Sequence, residues 1–232
     1  NNATWVIRAY NTIWVRPGVY PEFDLSFPLF CHLIGLGVRG SDTMVEIHPV
    51  AGSGPIFTGN SQGTHLANLW LEIEDNDESI IEATNLNTCL IEDCVFSSAG
   101  GATGVVGIRT TAAGGGGRSP EIRRCSFETR DANLGHGMYF EGGFLQNARI
   151  HDNDIFADAG IYIGVGSSSQ TVIQHNRVMA EVGIGIQDTM GLSYIIDNDI
   201  YAPADAINHA GGIAHLIRNR IQEGAGAAAW EG

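Results

Sequence analysis

The chain has 232 residues, 44 % of them hydrophobic, and its 26 acids against 12 bases set a formal net charge of −14. That apolar content is enough to offset ordering entropy and excludes a disordered chain; the bases are all arginine, and so acidic a protein lacks the basic face that a nucleic-acid partner needs. No eighteen-residue apolar run marks membrane insertion, and four cysteines without a CxxC pair point to neither a disulfide-built scaffold nor a cysteine zinc site.

In chain order, the opening NNATWVIRAY carries neither an initiator Met nor a basic leader, which predicts a mature or trimmed chain. Residues 12–22 (TIWVRPGVYPE) read as a strand broken by a Pro-Gly turn, and residues 31–37 (CHLIGLG) as a second strand before a glycine turn. A repeated phrase then begins. It is weak as LANLWLEI around Leu69 and clear as LIEDCVF around Cys94, EIRRCSF around Cys125, RIHDNDIF around Asn153, VIQHNRVM around Asn176, IIDNDIY around Asn198 and LIRNRIQ around Asn219. The centres are separated by 25, 31, 28, 23, 22 and 21 residues, a solenoid period with insertions in the middle.

Three positions before each centre stand Ile91, Ile122, Ile150, Ile173, Ile195 and Leu216; two after come Phe96, Phe127, Ile155, Val178, Ile200 and Ile221. Apolar positions that alternate with polar ones, without helical spacing, predict two short strands joined at a corner. A second register follows each corner as GMYFEGG from Gly137, GIYIGVG from Gly160, GIGIQDT from Gly183 and AINHAGG from Ala206, which adds a third strand per turn. Gly and Asn are expected to supply the unusual corner dihedrals. The glycine run at 113–117 falls in the longest interval and reads as a mobile loop within one domain, 1–232, with residues 1–40 as opening coils and 225–232 as a tail.

On these repeats the chain resembles the right-handed parallel β-helix superfamily typified by pectate lyases, including the carbohydrate-binding and sugar-hydrolysis repeats of phage tailspikes and secreted proteins. WVRPGVYPE followed by LIGLG is similar to that family's opening, and Asn153, Asn176, Asn198 and Asn219 match its asparagine ladder. The resemblance implies an all-β, single-stranded parallel β-helix with three parallel sheets and about eight or nine coils. It says little about function, because one scaffold of this kind hosts many chemistries.

Parallel in-register stacking would put equivalent residues about 4.8 Å apart. The position before each centre reads Asn68, Asp93, Arg124, Asp152, His175, Asp197, Arg218; the position after reads Trp70, Val95, Ser126, Asp154, Arg177, Asp199, Arg220. Acid and base therefore alternate between coils, which assigns most corner charges to register rather than to catalysis. Stacked amides explain the inward asparagines, and Cys94 with Cys125 in the same column leave a thiol stack, a disulfide or apolar spacers open.

A site is expected on the outward face of the third strand, where Tyr139 and Tyr162 stack as a glycan platform with Gln187 and Asn208, beside Glu141 and Asp188 and with His136 at the strand entry. Glu141, Asp188, His136 and Arg109 are the catalytic candidates. The Gly135–Gly137 GHG resembles an element of polygalacturonases, but that family's paired DD, NTD and RIK signals are absent, and Gly137 reads as the glycine that recurs at Gly160 and Gly183. Lyases and epimerases of the superfamily would need a base, to which Arg109 with Tyr139 or His136 could be fitted, and the acids Glu72, Glu74, Asp75, Asp77 and Glu78 could hold Ca²⁺, although they read more simply as a solvated loop. No metal or other cofactor is otherwise implied, and a charge of −14 opposes a polyuronate substrate.

The reading favoured is a non-catalytic structural or receptor-facing module of a virion or extracellular assembly, able to bind a polysaccharide. Its partners would be other subunits, a homotrimer among the arrangements, covering the open ends. The alternative is a secreted polysaccharide lyase, glycoside hydrolase or epimerase using the Tyr139/Glu141 face.

Overall fold

The computed structural model describes residues 11–27, 29–38, 44–99, 101–111, 116–129, 134–141, 144–164, 169–189 and 191–224. They form an all-β parallel solenoid without a helix, in three sheets of 11, 9 and 8 strands, here sheets I, II and III. The eight strands of sheet III are joined by seven successive windings, so the chain makes about seven turns, slightly fewer than the eight or nine coils expected. The tail at 225–232 lies outside the described residues.

Each rung passes through the sheets in order, and the repeat registers as read. In sheet I, Leu66, Ile91, Ile122, Ile150, Ile173, Ile195 and Leu216 pair in one column. In sheet II, Phe96, Phe127, Ile155, Val178, Ile200 and Ile221 do the same. These columns point inward and, with Ile81, Ile108, Met138, Ile161, Ile186 and Ile207 from sheet III, belong to one continuous core. Phe96 and Phe127 stack at 4.6 Å and 4°. A solenoid of this kind buries its core only through neighbouring rungs, so register is the fold's central constraint.

The corner between sheets I and II differs from expectation. Its left-handed residues are Asn68, Asp93, Arg124, Asp152, His175, Asp197 and Arg218, with φ between 51° and 57°; apart from Asn68 they are neither glycine nor asparagine, and the ladder asparagines follow them. Left-handed backbone is costly for a side chain with a Cβ, and here the next residue repays it. Asn176 Nδ2 donates to Ile150 O, Gln174 O and Asn198 Oδ1, while its own Oδ1 accepts from Asn153 N and Nδ2. The same bonds recur through Asn198 and Asn219. Higher up, Cys94 and Cys125 occupy this position as free thiols, donating to Leu66 O and Ile91 O in place of the amide. Burial, reinforced by the neighbouring Cys125 thiol, pushes the Cys94 thiol well up, and burial raises Cys89 to about 12, so both stay protonated spacers.

Two further readings are corrected. The glycine run was expected to be a loop, yet Gly116–Arg118 is a strand that pairs with Phe144–Gln146, extending sheet I across the two longest intervals; residues 113–115 lie outside the described residues. The glycine recurring with Gly137 and Gly160 is Gly185, not Gly183, because Ile161 pairs with Ile186. The reason for glycine there is steric: a Cβ on Gly160 would lie 2.2 Å from Gly185 O and 2.4 Å from Val178 Cγ1. The glycines let sheet III close over the bulky sheet II column.

Candidate functional site

The outward column of sheet III runs Thr58, Glu82, Arg109, Tyr139, Tyr162, Gln187, Asn208, each one strand from the next. It brings together Arg109 and the four residues expected to bind glycan. Tyr139 and Tyr162 stack at 4.4 Å with 11° between their planes, His136 meets Tyr139 edge-on at 4.9 Å, and the Arg109 guanidinium carbon lies 5.8 Å from the Tyr139 ring centre. Asn208 donates to Asp205 Oδ2 at 3.2 Å.

Glu141 does not stand free as a base: its Oε2 accepts from Arg109 Nη2 at 3.0 Å, a partly exposed pair spanning one rung. Burial, which disfavours the charged form, raises the Tyr139 phenol, as do the Glu141 charge and Tyr162. Burial also lowers His136, with Arg109 adding to the effect and Asp158 opposing it, so the imidazole is held neutral.

Beside the tyrosine stack lies a groove of about 600 Å³ that includes His136, Tyr162 and Gln187, with Ile161, Val182 and Ile184 as apolar wall. It exists because small residues stand at the entries to sheet III. A Cβ on Gly135 would come within 2.9 Å of the Gly104 backbone, and one on Gly104 would meet Asp77 Oδ1 at 2.2 Å. Sequence reasoning missed Asp77 as a groove residue by grouping it with the acidic run, and missed Asp158 altogether. Their loop positions carry no periodic signal, since loops lie outside the strand alternation.

Asp188 is a correction. It does not face out beside Gln187 but is fully buried in the column of Phe140 and Ile163, where Ser193 Oγ donates to its Oδ2 and His209 Nδ1 lies 3.4 Å away. Strand alternation places it there: Gln187 points out, so its neighbour points in. The acidic run is likewise dispersed. Asp75 accepts the Ser53 and Gly54 amides at 3.1 Å and also that of Gly52, while Glu72 turns to Ser97.

No protein-family model and no curated protein matches the chain. Among solved structures, a variant tailspike protein of E. coli bacteriophage HK620, in complex with a pentasaccharide, is similar at TM-score 0.53 and 12 % identity, covering 98 % of this chain and 56 % of that one. PfbA, a surface adhesin of Streptococcus pneumoniae, superposes at TM-score 0.41 and 10 % identity, covering 91 % and 81 %. The chain thus spans little more than half of the tailspike chain, and the likeness is one of fold: a parallel β-solenoid.

Proposed function

We propose that the protein is a non-catalytic, glycan-binding β-solenoid module of a virion or extracellular surface assembly, and that the Tyr139–Tyr162 stack with its flanking groove is the binding surface. The observation that carries this reading is the parallel ring stack at 4.4 Å on the solvent side of the sheet, which leaves an outer aromatic face beside the groove. Sugar rings pack their apolar faces on such aromatics while hydroxyls reach nearby polar groups, here Gln187, Asn208 and neutral His136. The pentasaccharide in complex with the tailspike neighbour is consistent with this use of the fold but belongs to that protein.

Charge narrows the ligand. Asp77 and Asp158 line the groove and the whole chain carries −14, so a neutral glycan is favoured over a polyuronate. The Arg109–Glu141 pair takes up the candidate acid and base in each other, which favours recognition over turnover. The terminal rung leaves Ile213 61 % exposed and the first leaves Trp14 59 % exposed, so neighbouring segments or subunits are expected to stack on the ends.

The test is a polysaccharide panel, including bacterial surface glycans, read for binding and for release of reducing ends or 4,5-unsaturated products. Binding without product is expected, with Tyr139→Ala and Tyr162→Ala each weakening it by about tenfold or more. Product release would replace the reading with a polysaccharide lyase or hydrolase; binding untouched by both variants would remove the site.

A further inference from the structure

A second cluster lies on the outward face of sheet II, away from the groove. The strand Val45–Ile47 runs into His48, and the neighbouring strand Leu69–Ile73 places Glu72 beside it. His48 Nδ1 lies 3.3 Å from Glu46 Oε1 and 3.5 Å from Glu72 Oε1, and the three donor atoms fall within 4.8 Å of one another. On the far side of the ring, His48 Nε2 is 3.2 Å from Glu74 Oε1.

The ring stands between carboxylates on both sides, Nε2 facing Glu74 and Nδ1 facing Glu46 and Glu72. With Nε2–H given to Glu74, Nδ1 and the two carboxylate oxygens form one set of three donor atoms open to a cation. Metal-bound histidines are oriented in this way, the second ring N–H being given to a carboxylate. The distances agree: a tetrahedral ion with ligand distances of about 2.1 Å has ligand–ligand edges of about 3.4 Å.

Glu72 adds an independent indication. Its side chain is only 2 % exposed, and its other oxygen is fixed by Ser97 Oγ at 2.7 Å, itself held by Trp70 Nε1 at 2.7 Å. A buried carboxylate oriented through two outer residues, with one oxygen turned to an imidazole, is a preorganised ligand. Glu46, His48 and Glu74 are partly exposed, which leaves an entry path and room for water as a further ligand.

We propose that Glu46, His48 and Glu72 bind a first-row divalent cation, Zn²⁺ being the best fit, with Glu74 orienting the imidazole. One imidazole with two carboxylates suits such ions better than Ca²⁺, which takes oxygen ligands throughout. Bridging two rungs, the ion ties the second coil to the third and locks their register. This does not depend on glycan binding.

The test uses the full chain, stripped with chelator and freed of any histidine tag, in calorimetric titrations with Zn²⁺, Mn²⁺ and Ca²⁺. One equivalent of Zn²⁺ is expected to bind and to raise the melting temperature reversibly, with Ca²⁺ at least about tenfold weaker. His48→Gln and Glu46→Gln should each lose at least about tenfold in Zn²⁺ affinity, and Glu74→Gln about tenfold. His175→Gln, on the corner column, should leave Zn²⁺ affinity unchanged. Co²⁺ absorption of the unaltered chain gives a second readout that does not depend on a variant folding, with intense visible bands expected for a nitrogen–oxygen tetrahedral site. No saturable Zn²⁺ binding, featureless Co²⁺ spectra, or full affinity in a folded His48→Gln would each overturn the site.

Discussion

Arg218 grips Asp197 of the preceding rung with two parallel bonds, Nε to Oδ1 at 2.7 Å and Nη2 to Oδ2 at 2.6 Å, although the two residues are 21 positions apart. The same meshing joins Arg124 to Asp93, His175 to Asp152 and Asp197, Arg177 to Asp154 and Arg220 to Asp199. Exposed pairs of this kind set register more than they add stability. Asp197→Arg alone should therefore lower the melting temperature slightly, and the exchange Asp197→Arg with Arg218→Asp should recover most of the loss. The effect should shrink at about 1 M salt; a double exchange no better than the sum of the single changes would contradict the pairing.

The amide column is the stiffer device, since it satisfies buried backbone groups. Asn176→Ala removes bonds to Ile150 O, Gln174 O and Asn198 Oδ1, leaves the buried Asn153 N–H without its acceptor and leaves Asn153 Nδ2 with Ile122 O alone. A loss on the order of 3 kcal/mol is expected, read by denaturant unfolding. A change below about 1 kcal/mol would mean that water replaces the amide.

The glycine column makes a steric prediction. Gly160→Ala forces a Cβ to 2.2 Å from the Gly185 carbonyl oxygen, which only backbone movement can relieve. A cost of about 2–3 kcal/mol is expected, whereas Gly211→Ala, whose Cβ meets only Thr189 O at 3.2 Å, should be far milder.

Stability should fall with acid in two steps. Burial lowers the pKa of His136, so the unfolded chain takes up that proton first and stability drops as pH falls through the usual histidine range, about 6–7. Glu92 is desolvated, which alone would raise it, but bonds from Arg123, Arg124 and His65 outweigh this and hold it low; Arg218 does the same for Asp197. Depressed carboxylates contribute above the ordinary carboxylate range and lose that contribution as pH falls through it toward the folded value. His136→Gln should flatten the first step in melting temperature against pH. Glu92→Gln should flatten the second and cost about 1–2 kcal/mol at neutral pH by weakening its bonds with His65, Arg123 and Arg124. Unchanged curves in both variants would contradict the assignment.

Period, strand order and the inter-rung charges were readable because the solenoid converts sequence separation directly into vertical contact, as Ile195 over Leu216 illustrates. What escaped was local. Gly183 was mistaken for Gly185 because both sit in GIGIQ and only pairing decides which one meets Ile200. Asp188, a charged residue, reads as outward by its chemistry, but its alternation with outward Gln187 turns it into the core. The Tyr139 column was legible as a repeat, but the groove beside it depends on Asp77 and Asp158, whose loops follow no period, and the pairing of Arg109 with Glu141 crosses 32 residues with an insertion between.

The most direct measurement of the glycan-binding account is a crystal structure of the protein soaked with an oligosaccharide released from whichever polysaccharide it binds. The expected result is a sugar ring packed on the face of Tyr162 that Tyr139 does not cover, with its hydroxyls bonded to Gln187 or His136 in the groove. Sugar seated elsewhere, for instance along Phe156, Met179 and Tyr201 on sheet II, with the tyrosine stack bare, would contradict it.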